Sequence, residues 1–339
     1  MASTAAASGV VNRGMITATV MLATLMQALD TTIANVALPY MQGSLSATSD
    51  EINWVLTSYI VAAAIIMPAT GWLESRFGRK PLFLVSVIGF IVTSMLCGTA
   101  VSLTQIVVFR LLQGVFGAPL VPLSQSVLLD AYPPGQHGQA MAVFGLGVML
   151  GPILGPTLGG WLTDSYSWRW VFYVNVPFGV LCALGITLFL GRRTDRPLAR
   201  RLDWLGFAAL GLGIGALQLF LDRGERLDWL ASREIQLEAA LCLLGFYLFT
   251  VHSLTARDPF IDLALFRDRN FVVGIIVIFI VGAVLLATLA LLTPYLETLM
   301  NYPVLTAGLV LAPRGFGTML AMLIAGRLLG SQQPAMRFI

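Results

Sequence analysis

Apolar stretches long enough to cross a bilayer recur along the whole chain, separated by short polar connections. Ten are predicted, at roughly 16–39, 54–74, 81–100, 103–128, 139–162, 169–190, 203–221, 235–253, 271–296 and 304–329. Each is near the twenty residues that a hydrocarbon core of about 30 Å demands of a helix. A segment in lipid must satisfy its own backbone hydrogen bonds, so stretches of this length predict helices rather than open strands. The expected fold is all-α, a polytopic membrane protein. The first stretch follows Arg13 and invites comparison with a secretory signal. It is too long for one, contains Asp30, and lacks a small-residue cleavage site before polar sequence. It is expected to be the first span.

The polar positions inside these spans carry the chemistry. Asp30 lies about two-thirds of the way along the apolar segment 15–39. A carboxylate there costs about 2.5–3.5 kcal/mol on insertion scales and faces a cavity or a partner. At 1.5 Å per residue, Asp30 lies about 13 Å below the outer end of span one. Arg110, in span four, lies about 10 Å below the same face. The two are predicted to pair or to share a cavity, as a proton or substrate site or as a structural ion pair. Span five places Gly147, Gly151, Gly155 and Gly159 at four-residue spacing, with Pro152, Pro156 and Gly160 interleaved. Such a stripe lets another helix approach closely. The prolines bend the helix, so the segment suits plain packing or a moving interface. Between spans two and three, Gly71 and Gly78 frame a basic hairpin with Glu74, Arg76, Arg79 and Lys80.

Composition agrees with this pattern. The chain is 57% hydrophobic and 11% charged, against about 25% charged in soluble domains. Mean hydropathy is +0.84. With the N-terminus inside, one side collects Arg13; Arg76, Arg79 and Lys80; Arg192, Arg193, Arg196, Arg200 and Arg201; and Arg257, Arg267 and Arg269. The other collects Arg169, Arg223, Arg226 and Arg233. Twelve against four predicts a cytosolic N-terminus. Cys97, Cys182 and Cys242 stand alone within apolar runs, without metal spacing, and are expected to pack. Nothing in the sequence suggests an enzyme: it shows no catalytic constellation, nucleotide loop or metal pattern. No cofactor and no nucleic-acid partner are expected. Asp203, ahead of Trp204, suits a helix N-cap.

The predicted organisation is a cytosolic tail (1–15), a six-helix bundle (16–190), a basic linker (191–202), a helix pair (203–253) and a cytosolic loop (254–270). Two helices of a second bundle (271–330) and a polar tail (331–339) follow.

Together these motifs resemble the major facilitator superfamily. Gly71-Trp72-Leu73-Glu74-Ser75-Arg76-Phe77-Gly78-Arg79-Lys80 is similar to its pattern Gly-x-Leu-x-Asp-Arg-x-Gly-Arg-Lys. Arg110, Gln113, Gly114, Gly117 and Ala118 resemble its span-four motif, and Gly147 to Gly160 its span-five antiporter motif. Leu29-Asp30-Thr31-Thr32-Ile33-Ala34-Asn35-Val36-Ala37-Leu38-Pro39 is similar to the first-span signature of the fourteen-helix drug:proton antiporter branch, the EmrB/QacA-type exporters. Trp168-Arg169-Trp170 with Asn175-Val176-Pro177 resembles that branch too.

The resemblance implies alternating access, with hydrophobic or cationic drugs exported across a bacterial inner membrane against inward proton flow. Asp30 would carry the proton and Arg110 would tune it, since desolvation favours the neutral acid and a nearby arginine the carboxylate. Gln27, Thr31, Asn35, Gln113 and Arg314 would line the substrate cavity, although Arg314 also suits snorkelling. A periplasmic adaptor and an outer-membrane channel are implied as partners. Two departures stand out. Ser75 takes the place of the loop aspartate, with Glu74 one residue early, so Asp130 is expected to pair with Arg76 or Arg79. Ten spans are present of an expected fourteen, which predicts a truncated chain impaired in transport. A non-transporting fragment and an uptake symporter of the same superfamily are the alternatives.

Overall fold

The structure is a computed structural model. It describes residues 12–191 and 201–302, with isolated positions between 306 and 324. The N-terminal tail up to residue 11, Arg192, Arg193, Arg196, Arg200, Arg314 and the tail 331–339 lie outside the described residues.

No strand occurs among the described residues, the isolated positions between 306 and 324 are helical, and nine longer helical segments have continuous bounds. They are α1 (Arg13–Ser44), α2 (Ser49–Phe77), α3 (Arg79–Thr99), α4 (Leu103–Ala131), α5 (Pro134–Ser165), α6 (Trp170–Phe189), α7 (Trp204–Arg223), α8 (Arg233–Thr255) and α9 (Arg269–Pro294). The first eight are long and apolar enough to cross a membrane. The end of the bundle that carries Arg79 and Lys80 is called the basic end below, and the opposite one the far end.

Local chemistry sets the boundaries. The Asn12 side chain accepts the Met15 N–H and starts α1. α1 continues through Pro39 to Ser44, past the boundary expected at 39. Met41, with no exposed surface, anchors the added turn in the core. α2 opens with a reciprocal cap between Thr48 and Glu51 and narrows to a 3₁₀ turn at Met67–Ala69, where Pro68 lies. Gly78 alone separates α2 from α3; its φ of 84° is a conformation that glycine adopts without penalty. Asp203 caps α7, accepting the Gly206 N–H at 3.0 Å.

α1 is the central helix of α1–α6. It packs along α5, α6 and α4, while α2 packs on α4, and α3 on α4 and α6. Two apolar clusters fill this bundle. One includes Val20, Met26, Phe83, Phe90 and Leu123, and the other Leu29, Ile33, Val55, Ile106 and Phe172. The span-five stripe abuts α1: a Cβ at Gly147, Gly151, Gly155 or Gly159 would meet Met21, Ala28, Thr32 or Ile33 respectively. Close helix approach through small residues therefore sets the α1–α5 contact.

α7 lies on α2, with Gly211 and Gly215 against Ile65. α8 lies on α7, where a Cβ at Gly245 would run into the Gly213 backbone. At the far end, Thr57 donates to Asp222 at 2.6 Å, and Arg223 holds Glu234 at 2.7 Å and Glu238 at 3.0 Å. α9 leaves most of its described side chains exposed, Ile278 and Phe279 among them.

Candidate functional site

Asp30 lies where the two apolar clusters meet, with Met26 in one and Leu29 in the other. Its carboxylate is 1% exposed, as is Arg110. Arg110 Nη1 donates to Asp30 Oδ2 at 2.6 Å. Gln113 Nε2 donates to Asp30 Oδ1 at 2.9 Å, and Asn175 Nδ2 to the same oxygen at 2.7 Å. α4 therefore supplies two donors and α6 a third to a carboxylate on α1. The depth matching of Asp30 and Arg110 thus ends in direct contact.

The surroundings fix the arginine as firmly as the acid. Arg110 Nη1 also donates to Gln113 Oε1 at 2.8 Å, and Nε to the Val55 carbonyl at 3.0 Å. Its guanidinium lies 4.3 Å from the centre of the Tyr59 ring, a cation–π distance. Asn175 Nδ2 reaches Ser94 Oγ at 3.0 Å, and Ser94 donates to the Phe172 carbonyl at 2.8 Å. A buried ion pair is tolerable when both charges have their hydrogen bonds met. Here Asp30 has three donors and no acceptor, the complement of a carboxylate and not of a carboxylic acid.

The expected cavity residues divide into two groups. Gln27, Thr31 and Asn35 recur every fourth residue and so share one face of α1. Asn35 is exposed and donates to the Thr31 carbonyl, and Thr31 is half-buried. Gln27 Oε1 and the Tyr59 hydroxyl are enclosed beside each other. Gln113 is fully enclosed, because its amide is consumed by Asp30 and Arg110. Arg314 lies outside the described residues.

At the basic end, Arg79 bonds Glu74 at 2.6 Å and forms an ion pair with Asp130. Glu74, one residue before the expected aspartate position, reaches the arginine from α2 because Gly78 turns the chain sharply between them. Asp130 closes the group from α4. Arg76 is exposed. Lys80 Nζ donates to the carbonyls of Thr187 at 2.8 Å and Leu190 at 2.6 Å. It thereby caps the end of α6, a favourable place for a cation.

Sequence reasoning left Ser94, Tyr59 and Asn175 without a site role. Asn175 carried a signal, as an amide inside an apolar span. Its orientation depends on how α6 is rotated against α1, which spacing along one strand of sequence does not disclose.

The profile of the Major Facilitator Superfamily matches residues 20–339. The chain is 42% identical over 306 residues to the multidrug export protein EmrB of Escherichia coli (strain K12), covering 90% of this chain and 60% of that protein. It is also 42% identical over 294 residues to the fatty acid resistance protein FarB of Neisseria gonorrhoeae, covering 87% of this chain and 58% of that protein. The chain thus spans about 60% of the length of these curated relatives. The solved structure of the proton:xylose symporter XylE matches with a TM-score of 0.62 at 14% identity, over 94% of this chain and 70% of that one, a likeness of fold. With the family profile matched over almost its entire length and eight described helices of membrane-spanning length, the chain is a multi-pass membrane protein and belongs to the major facilitator superfamily.

Proposed function

We propose that this chain serves in proton-coupled efflux of hydrophobic or cationic drugs across a bacterial inner membrane, by alternating access and without enzymatic chemistry. The observation that carries the reading is the enclosed Asp30–Arg110 pair, held by amides from two further positions in the middle of the bundle. Ionisable groups inside spans mark proton or substrate pathways. The names of the relatives, multidrug export and fatty acid resistance, support amphiphilic cargo.

In the state described, Asp30 is surrounded as an anion. A proton arriving from the far end would cancel its charge, weaken the Arg110 contact and loosen α1 from α4 and α6. The buried arginine would then need a new partner or water, because an unpaired buried charge costs several kcal/mol. Protonation is in this way linked to helix movement, and rocking of one bundle against another around a midplane site would turn it into transport. Gln27, Thr31 and Asn35 offer few fixed polar groups to cargo, which suits varied hydrophobic cations, and Arg314 belongs to the same proposal. The clamp of Glu74, Arg79 and Asp130 would hold α2, α3 and α4 together at the basic end, with Gly71, Arg76, Gly78 and Lys80 shaping it. Gly147, Gly151, Pro152, Gly155, Pro156 and Gly159 would form the contact on which α5 shifts. The N-terminus would lie in the cytosol, and a periplasmic adaptor and outer-membrane channel are the proposed partners.

The test is dye uptake into everted vesicles carrying the chain, with and without a proton gradient. Uptake should depend on the gradient and disappear in Asp30→Asn. Gradient-driven uptake that persists in Asp30→Asn would overturn the reading.

A further inference from the structure

Asp30 has donors for its ionised form, and its neutral form needs something different. A carboxylic acid carries a hydrogen that must be accepted, and burying it unpaired is costly. Two side-chain amides touch Asp30. The oxygen of the first, Gln113 Oε1, already accepts from Arg110 at 2.8 Å and lies 3.6 Å from the Cys97 thiol. The oxygen of the second, Asn175 Oδ1, is fully buried and accepts nothing. An unfilled acceptor in an enclosed site, on a side chain whose nitrogen already holds the acid, is an uncommon arrangement and calls for an explanation.

We propose that Asn175 is the positioning residue that serves both protonation states of Asp30. Its Nδ2 holds the carboxylate, and its Oδ1 accepts the Asp30 O–H after the amide turns over. This deepens the proton-carrier reading and rests on it. The proton arrives as an excess proton carried by water from the far end and leaves neutral water behind. An O–H bond forms on Asp30 Oδ1, the oxygen that Asn175 faces, the charge on the carboxylate is lost, and the contact from Arg110 Nη1 to Oδ2 weakens from an ion pair to a hydrogen bond to a neutral carbonyl. Rotation of the Asn175 amide withdraws Nδ2 from Asp30 and from Ser94 and brings Oδ1 to the new hydrogen. Oδ1 then lies within reach of Ser94 Oγ, which turns its hydroxyl from the Phe172 carbonyl to donate to it. Asn175 sits on α6, so the rotation would pass the protonation state of α1 to a third helix. The other ionisable groups facing Asp30 are Arg110 on α4, Tyr59 on α2 and Cys97 on α3. On α5, the ionisable side chains His137 and Asp164 lie at the two ends.

Infrared difference spectroscopy across a pH jump, on the full chain in lipid nanodiscs, tests this without requiring transport. The carbonyl band of protonated Asp30 is identified by its loss in Asp30→Asn. In Asn175→Leu the band should move to higher wavenumber, since the acid hydrogen loses its acceptor. Asn175→Asp keeps the side-chain volume and serves if the leucine variant does not fold; there the band should also shift, because a second carboxylate replaces the amide. A band that titrates but stays in place in the folded variants overturns the role of Asn175 and leaves the proton-carrier reading standing. A native chain with no titrating Asp30 band overturns both.

Discussion

Asp30 and Arg110 face each other at 1% exposure, and each is surrounded by hydrogen-bonding groups that suit an ionised side chain. The acid takes one arginine N–H and two amide N–H groups, and the arginine adds a backbone carbonyl and an aromatic face. The two partners are therefore unequal when removed. Arg110→Met leaves a buried carboxylate with only amide donors and should cost about 3–5 kcal/mol. Asp30→Asn keeps a polar group of the same shape beside Arg110 and should cost less. Thermal unfolding of the purified variants in detergent checks the order, and a less stable Asp30→Asn would contradict it. The same residues show how far sequence reaches. Spacing along two helices was sufficient to bring Asp30 and Arg110 to one depth, because rise per residue is nearly constant. It did not identify Ser94 or Asn175, since contact also needs the rotation of each helix about its own axis.

At the scale of elements, two contacts determine how helices meet. The glycine stripe of α5 lies directly on α1, with no room for a side chain at Gly151 beside Ala28. Gly151→Leu should push the helices apart and destabilise the bundle by about 1–3 kcal/mol. Crosslinking between cysteines placed on α1 and α5 should fall in parallel, and unchanged crosslinking would show that the stripe is not the contact. The second contact joins α7 and α8. Asp203 accepts from Gly206 N–H, His252 at 2.8 Å and Phe260 N–H at 3.0 Å. Partial burial acts to raise its carboxyl, but these hydrogen bonds outweigh it and hold the group below the usual range. A carboxyl held low when folded contributes stability above its unfolded value, near 3.9, and loses that contribution as pH falls through the lower folded value. Asp203→Asn should therefore weaken the α7–α8 pair at neutral pH and make little difference in strong acid. Melting curves of both proteins across pH check this.

For the whole molecule, charge asymmetry across the membrane predicts orientation. The native cysteines Cys97, Cys182 and Cys242 are all buried, so labelling background is low. A cysteine at Gly135 should be shielded from a membrane-impermeant maleimide in intact cells, and one at Ser232 should react. The reverse result would invert the topology. The helix pair α7–α8 touches the bundle through α7, so the first six helices hold the charged centre without it.

Sequence by itself determined the all-helical membrane character, the position of most spans and the depth of the two central charges. Hydrophobic length and helical rise are local properties, and lipid enforces them on each segment separately. The superfamily was legible for a related reason, as its motifs are short and tied to turns and close contacts such as Gly78 and the α5 stripe. Only tertiary structure decided that Gln113 is sealed inside rather than lining an open wall, that Glu74 and Asp130 share Arg79, that Lys80 caps α6, and that Asn175 reaches Asp30. Each of these joins residues from different helices through directional bonds. Their formation depends on rotation and tilt, which packing of the entire bundle sets.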